Sequence, residues 1–135
     1  MHTKPTLALS DLRTMAAAAE AEATQHGWAV TIAIVDDGGH LLWLQRLDGA
    51  APISSEIAPA KARTAAVGRR ESKVYEDMIN QGRVSFLSAP TLTGLLEGGV
   101  PIQVNGQCVG AIGVSGVKSA EDAQIARAGI AALVV

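Results

Sequence analysis

The chain has 135 residues, of which 48% are hydrophobic and 3% aromatic, and its 11 Lys and Arg against 13 Asp and Glu give a net charge of −2. This length fits a single domain, residues 1–135, with a core of small aliphatic side chains. The interspersed charges and the few aromatic rings argue against nucleic acid or an anionic membrane as a partner. The single cysteine, Cys108, excludes an internal disulfide and a multi-cysteine metal site. None of the three histidines has a metal-ligand spacing to another His, Cys or acidic residue, so no metal site is expected.

The amino-terminal sequence MHTKPTLALSDLR contains no apolar core of a signal peptide. No run of the chain approaches the roughly 18 consecutive apolar residues that a membrane helix requires. We therefore expect a cytoplasmic protein, and a lone cysteine agrees with a reducing compartment.

The first half of the chain predicts a helix followed by a β-hairpin. Ser10 is a candidate N-cap, and apolar residues recur at helical spacing until Gly27 ends the helix. The β-branched, alternating segment 28–36 (WAVTIAIVD) predicts a strand. A glycine-rich turn follows, and residues 40–47 (HLLWLQRL) predict the antiparallel partner of that strand.

Two helices are predicted in the middle of the chain. The first begins at Ser54 or Ser55 and contains Pro59, which is tolerated in a first turn but kinks a helix that starts much earlier. A shorter helix is expected at about residues 73–81, and an irregular stretch follows it.

A second hairpin and a last helix complete the predicted elements. An Asn-Gly dipeptide joins strands 100–104 and 107–115, and Ser119 opens the final helix with Asp122 as the acidic half of a capping box. The element order predicts an α+β fold, in which a profilin-like antiparallel sheet is flanked by helices on both faces.

The segment 109–116 (VGAIGVSG) carries a glycine at every third position. Its glycines lie inside a strand and not between a strand and a helix, so the segment does not fit a dinucleotide-binding loop. One face of this strand carries Ala111, Gly113 and Ser115, which have almost no side chain. Glycine in a strand permits close approach, so either a helix, a second subunit or a flat ligand is expected against this face.

Four stretches carry a resemblance to one family: VTIAIVDDGGHLLWLQRLDGA, APAKARTAA, LEGGVPIQVNGQCVGAIGVSG and DAQIARAGIAAL. Together they resemble the GlcG/HbpS-type domain, often labelled haem-degrading, which also forms the C-terminal domain of PduO-type corrinoid adenosyltransferases. The resemblance implies about five antiparallel strands and assembly into homo-oligomers, as dimers or larger even numbers.

The resemblance also implies a small-molecule ligand, because some members of this family bind haem or another tetrapyrrole. Members that bind haem use a histidine or a polar side chain near the Gly-Gly-x-Pro segment as the axial ligand. This chain has Val100 between Gly99 and Pro101, and a valine side chain cannot coordinate iron. His40 is either a surface residue beside the turn or, if haem binds, the best candidate for the iron ligand.

Lys61 is the first candidate for chemistry. On a helix it shares a face with Thr64 among alanine and glycine, which makes it either a surface lysine or a cation lining a pocket of small residues. In such a pocket Lys61 would hold a carboxylate or transfer a proton. Arg46 is a second candidate clamp for a carboxylate, and pairing with a nearby Asp is the alternative. Glu56 and Glu97 are the acids nearest these motifs, and each is either part of the site or a solvated charge.

These observations predict an oligomeric ligand-binding accessory protein. The predicted pocket is bounded by the helix of Lys61, by Glu97, Gly98, Gly99 and Pro101, and by the strand from Gly113 to Ser115. Its expected ligand is a haem-like tetrapyrrole or a small acidic metabolite.

The alternative is a catabolic enzyme acting on a small carboxylic acid from aromatic or glycolate metabolism. Proton transfer, as in tautomerisation, hydration or elimination, is the reaction type that requires the fewest specialised residues, and acid–base side chains are present. Lys61, Arg46 and Glu56 would be its catalytic residues.

Overall fold

The computed structural model describes residues 1–135, and its helices and strands follow the order expected from the sequence. A 3-10 helix occupies part of the stretch that the sequence leaves irregular. None of the helices combines the length and the apolar character of a membrane span. The elements are α1 (Leu9–Gln25), β1 (Thr31–Asp36), β2 (Leu41–Arg46), α2 (Ser54–Gly68), α3 (Ser72–Asn80), the 3-10 helix (Val84–Ser88), β3 (Gly99–Val104), β4 (Gln107–Ser115) and α4 (Ser119–Ala131).

The strands form one antiparallel sheet in the order β2-β1-β4-β3. Helices α1 and α4 cover one face and α2 covers the other, which confirms the α+β class. The expectation of about five strands is wrong, because the sheet has four. The segment before β3 packs on α2 instead of joining the sheet: a methyl group at Gly94 would overlap the main chain of Ala60 and Lys61.

The sheet face toward α1 and α4 is an aliphatic core. Ile32 and Ile112 from the sheet belong to one fully buried cluster with Met15 of α1 and Ile125 of α4. Burial of each such side chain contributes about 1.5–3 kcal/mol relative to exposure. Interlocking side chains therefore hold these two helices on the sheet.

The sheet face toward α2 is built from much smaller residues. Ala33 and Ala111 of the sheet pack against alanines of α2. At Gly113 a methyl group would overlap the carbonyl oxygen of Ala58 and lie 2.5 Å from the main-chain nitrogen of Ala62. Of the occupants expected from the sequence, a helix is the one that lies against this strand.

The helix starts differ from the expected caps. Helix α1 begins at Leu9, so Ser10 lies inside its first turn, and the Asp11 carboxylate accepts a hydrogen bond from the Ala8 N–H at 2.7 Å. Helix α4 begins at Ser119, and Glu121 accepts from the Lys118 N–H at 3.3 Å. Asp122 does not form the capping box, because its buried carboxylate accepts hydrogen bonds from the Val117 N–H and from Lys61 Nζ instead.

Candidate functional site

Lys61 lies inside the protein and makes two hydrogen bonds there. Its Nζ donates to Asp122 Oδ2 at 3.1 Å and to the Val114 carbonyl oxygen at 3.0 Å, and only 3% of the Lys61 side chain is exposed. A methyl group at Gly98 would lie 2.8 Å from this Nζ, so the loop before β3 closes over the ammonium group. The pair joins α2 to the first turn of α4 and to the end of β4.

The charge of this pair is balanced inside the fold. Burial raises the pKa of Asp122 above its ordinary value of 3.8, and the neighbouring Lys61 ammonium and the Val117 N–H act in the opposite direction. The Val117 N–H donates to Asp122 Oδ1 at 3.2 Å. Removal of one member of such a buried pair leaves an uncompensated charge, so the pair locks α2 and α4 together.

The glycine loop predicted as one wall of a pocket packs directly on α2. A methyl group at Gly99 would overlap the Lys61 carbonyl oxygen, and the Gly99 N–H donates to Ser72 Oγ at 2.8 Å. Since Gly113 contacts the same helix, the space expected to hold a ligand between these segments is filled by α2 itself. Thr64, on α2, is also buried, and its Oγ1 has no hydrogen-bond partner.

The predicted catalytic residues do not meet. Arg46, at the end of β2, donates from Nε to the Ala50 carbonyl oxygen at 3.1 Å and is exposed. Glu56 lies exposed in the first turn of α2. No hydrogen bond or ion pair joins either of them to Lys61, whose partners are Asp122 and a main-chain carbonyl.

The remaining predicted ligand residues lie at separate places. His40 is exposed at the turn between β1 and β2, with its Nδ1 3.1 Å from Asp36 Oδ1. Ser115 is buried at the end of β4, and Pro101 is half-buried in the edge strand β3. Glu97 is half-buried, and its N–H approaches Glu76 Oε1 at 3.4 Å. Their roles in binding stay predictions.

One apolar groove adjoins this loop and was not expected from the sequence. We call it the α3 groove; it lies between α3, the 3-10 helix and the segment before β3, and its volume is about 300 Å³. Its lining residues are Glu76, Ile79, Asn80, Leu87, Thr93, Leu95 and Leu96. The available signal in the sequence was leucine, at Leu87 and Leu96, in a stretch that shows no regular periodicity.

Aromatic packing fixes the walls of the α3 groove. The rings of Tyr75 on α3 and Phe86 on the 3-10 helix lie with centroids 5.0 Å apart. The Arg83 guanidinium lies 5.6 Å from the centre of the Phe86 ring, which is a cation–π distance. A positive charge therefore stands in the short connection between the two helices that form the groove.

Two other depressions occur on the surface. One, of about 310 Å³, lies at the end of α1 beside Trp28 and carries the carboxylates of Glu20 and Asp48. The other, of about 110 Å³, lies between the two chain termini. None of the site residues predicted from the sequence lines any of the three.

One protein family matches nearly the whole chain. Residues 7–131 match the family described as haem degrading protein HbpS-like. The chain belongs to the HbpS-like family. This confirms the resemblance drawn from the sequence motifs.

Individual relatives of this HbpS-like chain agree in sequence and fold. Protein GlcG of Escherichia coli K12 is 54% identical over 115 residues, which are 85% of each chain. A double mutant of Streptomyces reticuli HbpS is 33% identical, with a TM-score of 0.89 over 100% of this chain and 92% of that one. The protein solved as the PduOC:heme complex is 29% identical, with a TM-score of 0.85 over 95% of each chain.

Proposed function

We propose that this HbpS-like chain binds a tetrapyrrole of the haem type in the α3 groove. The observation that carries the proposal is the PduOC:heme complex, whose protein shares this fold over 95% of the chain. The family description, haem degrading protein HbpS-like, points to the same class of ligand.

The lining of the α3 groove fits the body of a tetrapyrrole. Ile79, Leu87, Leu95 and Leu96 offer apolar contact to a flat ring. Arg83 lies in the connection between the two helices that form the groove, and its guanidinium is suited to a propionate carboxylate. The depression at the end of α1 fits less well, because two carboxylates, Glu20 and Asp48, line it and would repel the propionates, whereas Glu76 is the one carboxylate that lines the α3 groove.

Oxygen is the only iron-coordinating atom that the polar side chains of the groove offer. Glu76, Asn80 and Thr93 are the ones within it, and each would hold iron or an iron-bound water through oxygen. His40 lies outside the groove, so the histidine ligation expected from the sequence finds no support there. When bound, haem supplies an iron centre for redox and oxygen chemistry, while this chain's apolar residues shield its ring from water.

Titration with haemin, followed by the Soret absorption band, tests the proposal. We expect a saturable shift for the wild-type chain and binding weaker by about tenfold or more in Leu87→Asp, because the new carboxylate faces an apolar ring and repels propionates. Leu87 is 64% exposed, so the fold should survive.

Val74→Asp is the matched control for this experiment. It adds the same charge at an exposed valine of α3 that does not line the groove, and it should bind haemin as the wild type does. Absence of a shift in the wild type, or equal binding by Leu87→Asp, would contradict the proposal. His40→Ala should leave the spectrum of the complex unchanged.

The catalytic alternative gains no support from the arrangement of its residues. The Lys61 ammonium donates to Asp122 and to a main-chain carbonyl, and only 3% of the side chain is exposed, so a substrate carboxylate in solvent cannot reach it. Arg46 and Glu56 are exposed and make no contact with it.

A further inference from the structure

The depression at the end of α1 differs in chemistry from the α3 groove, and the two share no lining residue. Two carboxylates, those of Glu20 and Asp48, line it together with the indole of Trp28. Ala29 and Leu47, both half-buried, add aliphatic surface to the same wall. Its volume of about 310 Å³ therefore combines an apolar wall with anionic groups from two separate parts of the chain.

The two carboxylates of this depression have no partner within the protein. Glu20 and Asp48 are exposed, and neither belongs to an ion pair of the structure. Glu22, in the same helix, differs from them: its Oε2 accepts from Gln124 Nε2 at 2.7 Å and lies 3.3 Å from His26 Nε2. The carboxylates of the depression thus keep their acceptor capacity for a donor from outside the chain.

The end of α1 adds negative potential at the same place. The C-terminus of a helix carries a partial negative charge, which favours a cation beside it. Helix α1 has 17 residues, and no basic residue lies in its last turn. Thr24, in that turn, lines the depression and adds a hydroxyl oxygen. The helix end and the two carboxylates therefore all favour a positively charged ligand.

Trp28 is held rigidly beside the helix end. Its main-chain N–H donates to the Ala23 carbonyl oxygen at 2.9 Å, and Gly27, with a φ of 70°, is the left-handed residue that this type of helix ending requires. The His26 ring stacks on the indole with 4.3 Å between the ring centroids. The indole also packs against the aliphatic core. An aromatic side chain that is already immobile loses little entropy when a ligand contacts it.

Asp48 is held by a tight turn. The Ala50 N–H donates to the Leu47 carbonyl oxygen at 3.2 Å, which closes a four-residue turn with Asp48 at its first corner. Gly49, at the second corner, has a φ of 87°, as in a type II turn. Arg46 Nε donates to the Ala50 carbonyl oxygen at 3.1 Å and so fastens the end of this turn. The carboxylate is therefore presented from a defined main-chain position.

We infer that this depression binds a small organic cation, an alkylammonium ion whose charged group binds the carboxylates of Glu20 and Asp48. The ammonium donates charge-assisted hydrogen bonds to these oxygens. The methylene stem lies against the apolar wall formed by Trp28 and Leu47, where contact removes its surface from water. A metal ion fits less well, because no group of three or more His, Cys, Asp or Glu side chains in the structure is placed to hold one.

NMR titration of the ligand-free chain with n-pentylammonium chloride tests the inference. The chain has two tryptophans, which give two indole N–H signals. We expect the Trp28 signal to shift saturably, with a dissociation constant on the order of 1 mM. The Trp43 signal should stay in place, because that indole donates to Gln45 Oε1 at 3.2 Å and does not line the depression.

Two further solutes separate charge from apolar contact. 1-Pentanol has the same stem without the charge and should shift the Trp28 signal much less than pentylammonium does. Magnesium chloride supplies cations without a stem and should also shift it less. No saturable shift with pentylammonium overturns the inference, and so does an equal or larger shift with either of the other solutes.

Variants that remove charge identify the carboxylates. The double variant Glu20→Gln with Asp48→Asn preserves side-chain size and should weaken pentylammonium binding by about tenfold or more. Glu22→Gln is the matched control: it removes one charge from the same helix, but this side chain does not line the depression, so binding should stay close to that of the wild type. Unchanged binding in the double variant, or an equal loss in Glu22→Gln, overturns the inference.

The same titration distinguishes this site from the proposed haem site. Leu87→Asp alters the wall of the α3 groove and should bind pentylammonium as the wild type does, because Leu87 does not line the depression at α1. A loss of pentylammonium binding in Leu87→Asp would place the cation in the α3 groove and overturn the inference.

Discussion

The two faces of the sheet hold their helices in different ways. Toward α1 and α4, isoleucine side chains such as Ile112 fill the space between main chains. Toward α2, Gly113 and the alanines leave no such space, and the helix main chain lies directly on the strand. Large apolar side chains hold the helices on the first face. On the second face, small or missing side chains let the helix approach the strand closely, and one buried ion pair also holds it.

Adjacent residues show this difference most directly. Ile112 and Gly113 follow one another in β4 and point to opposite faces, because strand side chains alternate. A change of one carbon atom at each position therefore compares the two kinds of packing within a single strand. The following variants test the comparison in order of decreasing expected effect.

Loss of Lys61 should have the largest effect. Lys61→Met leaves Asp122 buried without its cation, and breaking a buried ion pair costs about 3–5 kcal/mol of unfolding free energy. Urea unfolding at neutral pH measures this loss. The double variant Lys61→Met with Asp122→Leu removes both charges and should recover most of the stability. A double variant as unstable as the single one would show that the stranded charge is not the cause.

Addition of one carbon at Gly113 comes next. Gly113→Ala should lower the unfolding free energy by about 3 kcal/mol, at the upper end for overpacking, since the methyl group meets main-chain atoms of α2 that cannot rotate away. Denaturant titration measures the change. Wild-type stability in this variant would mean that α2 can move off the sheet at little cost.

Removal of one carbon at Ile112 should cost less. Ile112→Val leaves a small void among side chains that can adjust, and the expected loss is about 1 kcal/mol. The same denaturant titration gives the value. If Ile112→Val and Gly113→Ala are equally unstable, the two faces do not differ in the way described.

The pH dependence of stability should show the smallest effect. The pKa of Asp122 is raised in the folded chain by burial, so the folded state holds this proton to higher pH than the unfolded state does. The contribution of Asp122 is therefore fully present below pH 3.8 and is lost as the pH rises through the folded pKa. From below pH 3.8 upward, the unfolding free energy of Asp122→Asn should fall less with pH than that of the wild type. Identical slopes in the two proteins would argue against a raised pKa of Asp122.

Local patterns in the sequence predicted most of the secondary structure. The Asn-Gly turn located the β3–β4 hairpin, and helical spacing located α1, α2 and α4. The helix caps were predicted less accurately. At α1 the carboxylate of Asp11, and not Ser10, accepts the hydrogen bond that caps the helix. At α4 the capping acid is Glu121, and a local pattern cannot distinguish it from the adjacent Asp122. The count of strands came from the family resemblance, and the structure corrects it to four.

The candidate site was harder to predict than the fold. Lys61 and Asp122 are 61 positions apart, so no local spacing joins them. The small residues around Lys61 in the sequence indicate a pocket and give no sign of its buried partner. The small residues serve close packing of α2 instead. The α3 groove combines three segments, including a stretch with no periodicity, and only their packing in space brings Ile79, Leu87 and Leu96 together.

The seating of α2 has a consequence for motion. Gly94 from one side and Gly113 from another place main chain against main chain, and such contacts have no alternative rotamers through which a helix could shift. The 3-10 helix, in contrast, meets α3 through the rings of Tyr75 and Phe86, which can reorient. We expect α2 to behave as the rigid frame of the molecule, with any adjustment to a ligand confined to the walls of the α3 groove.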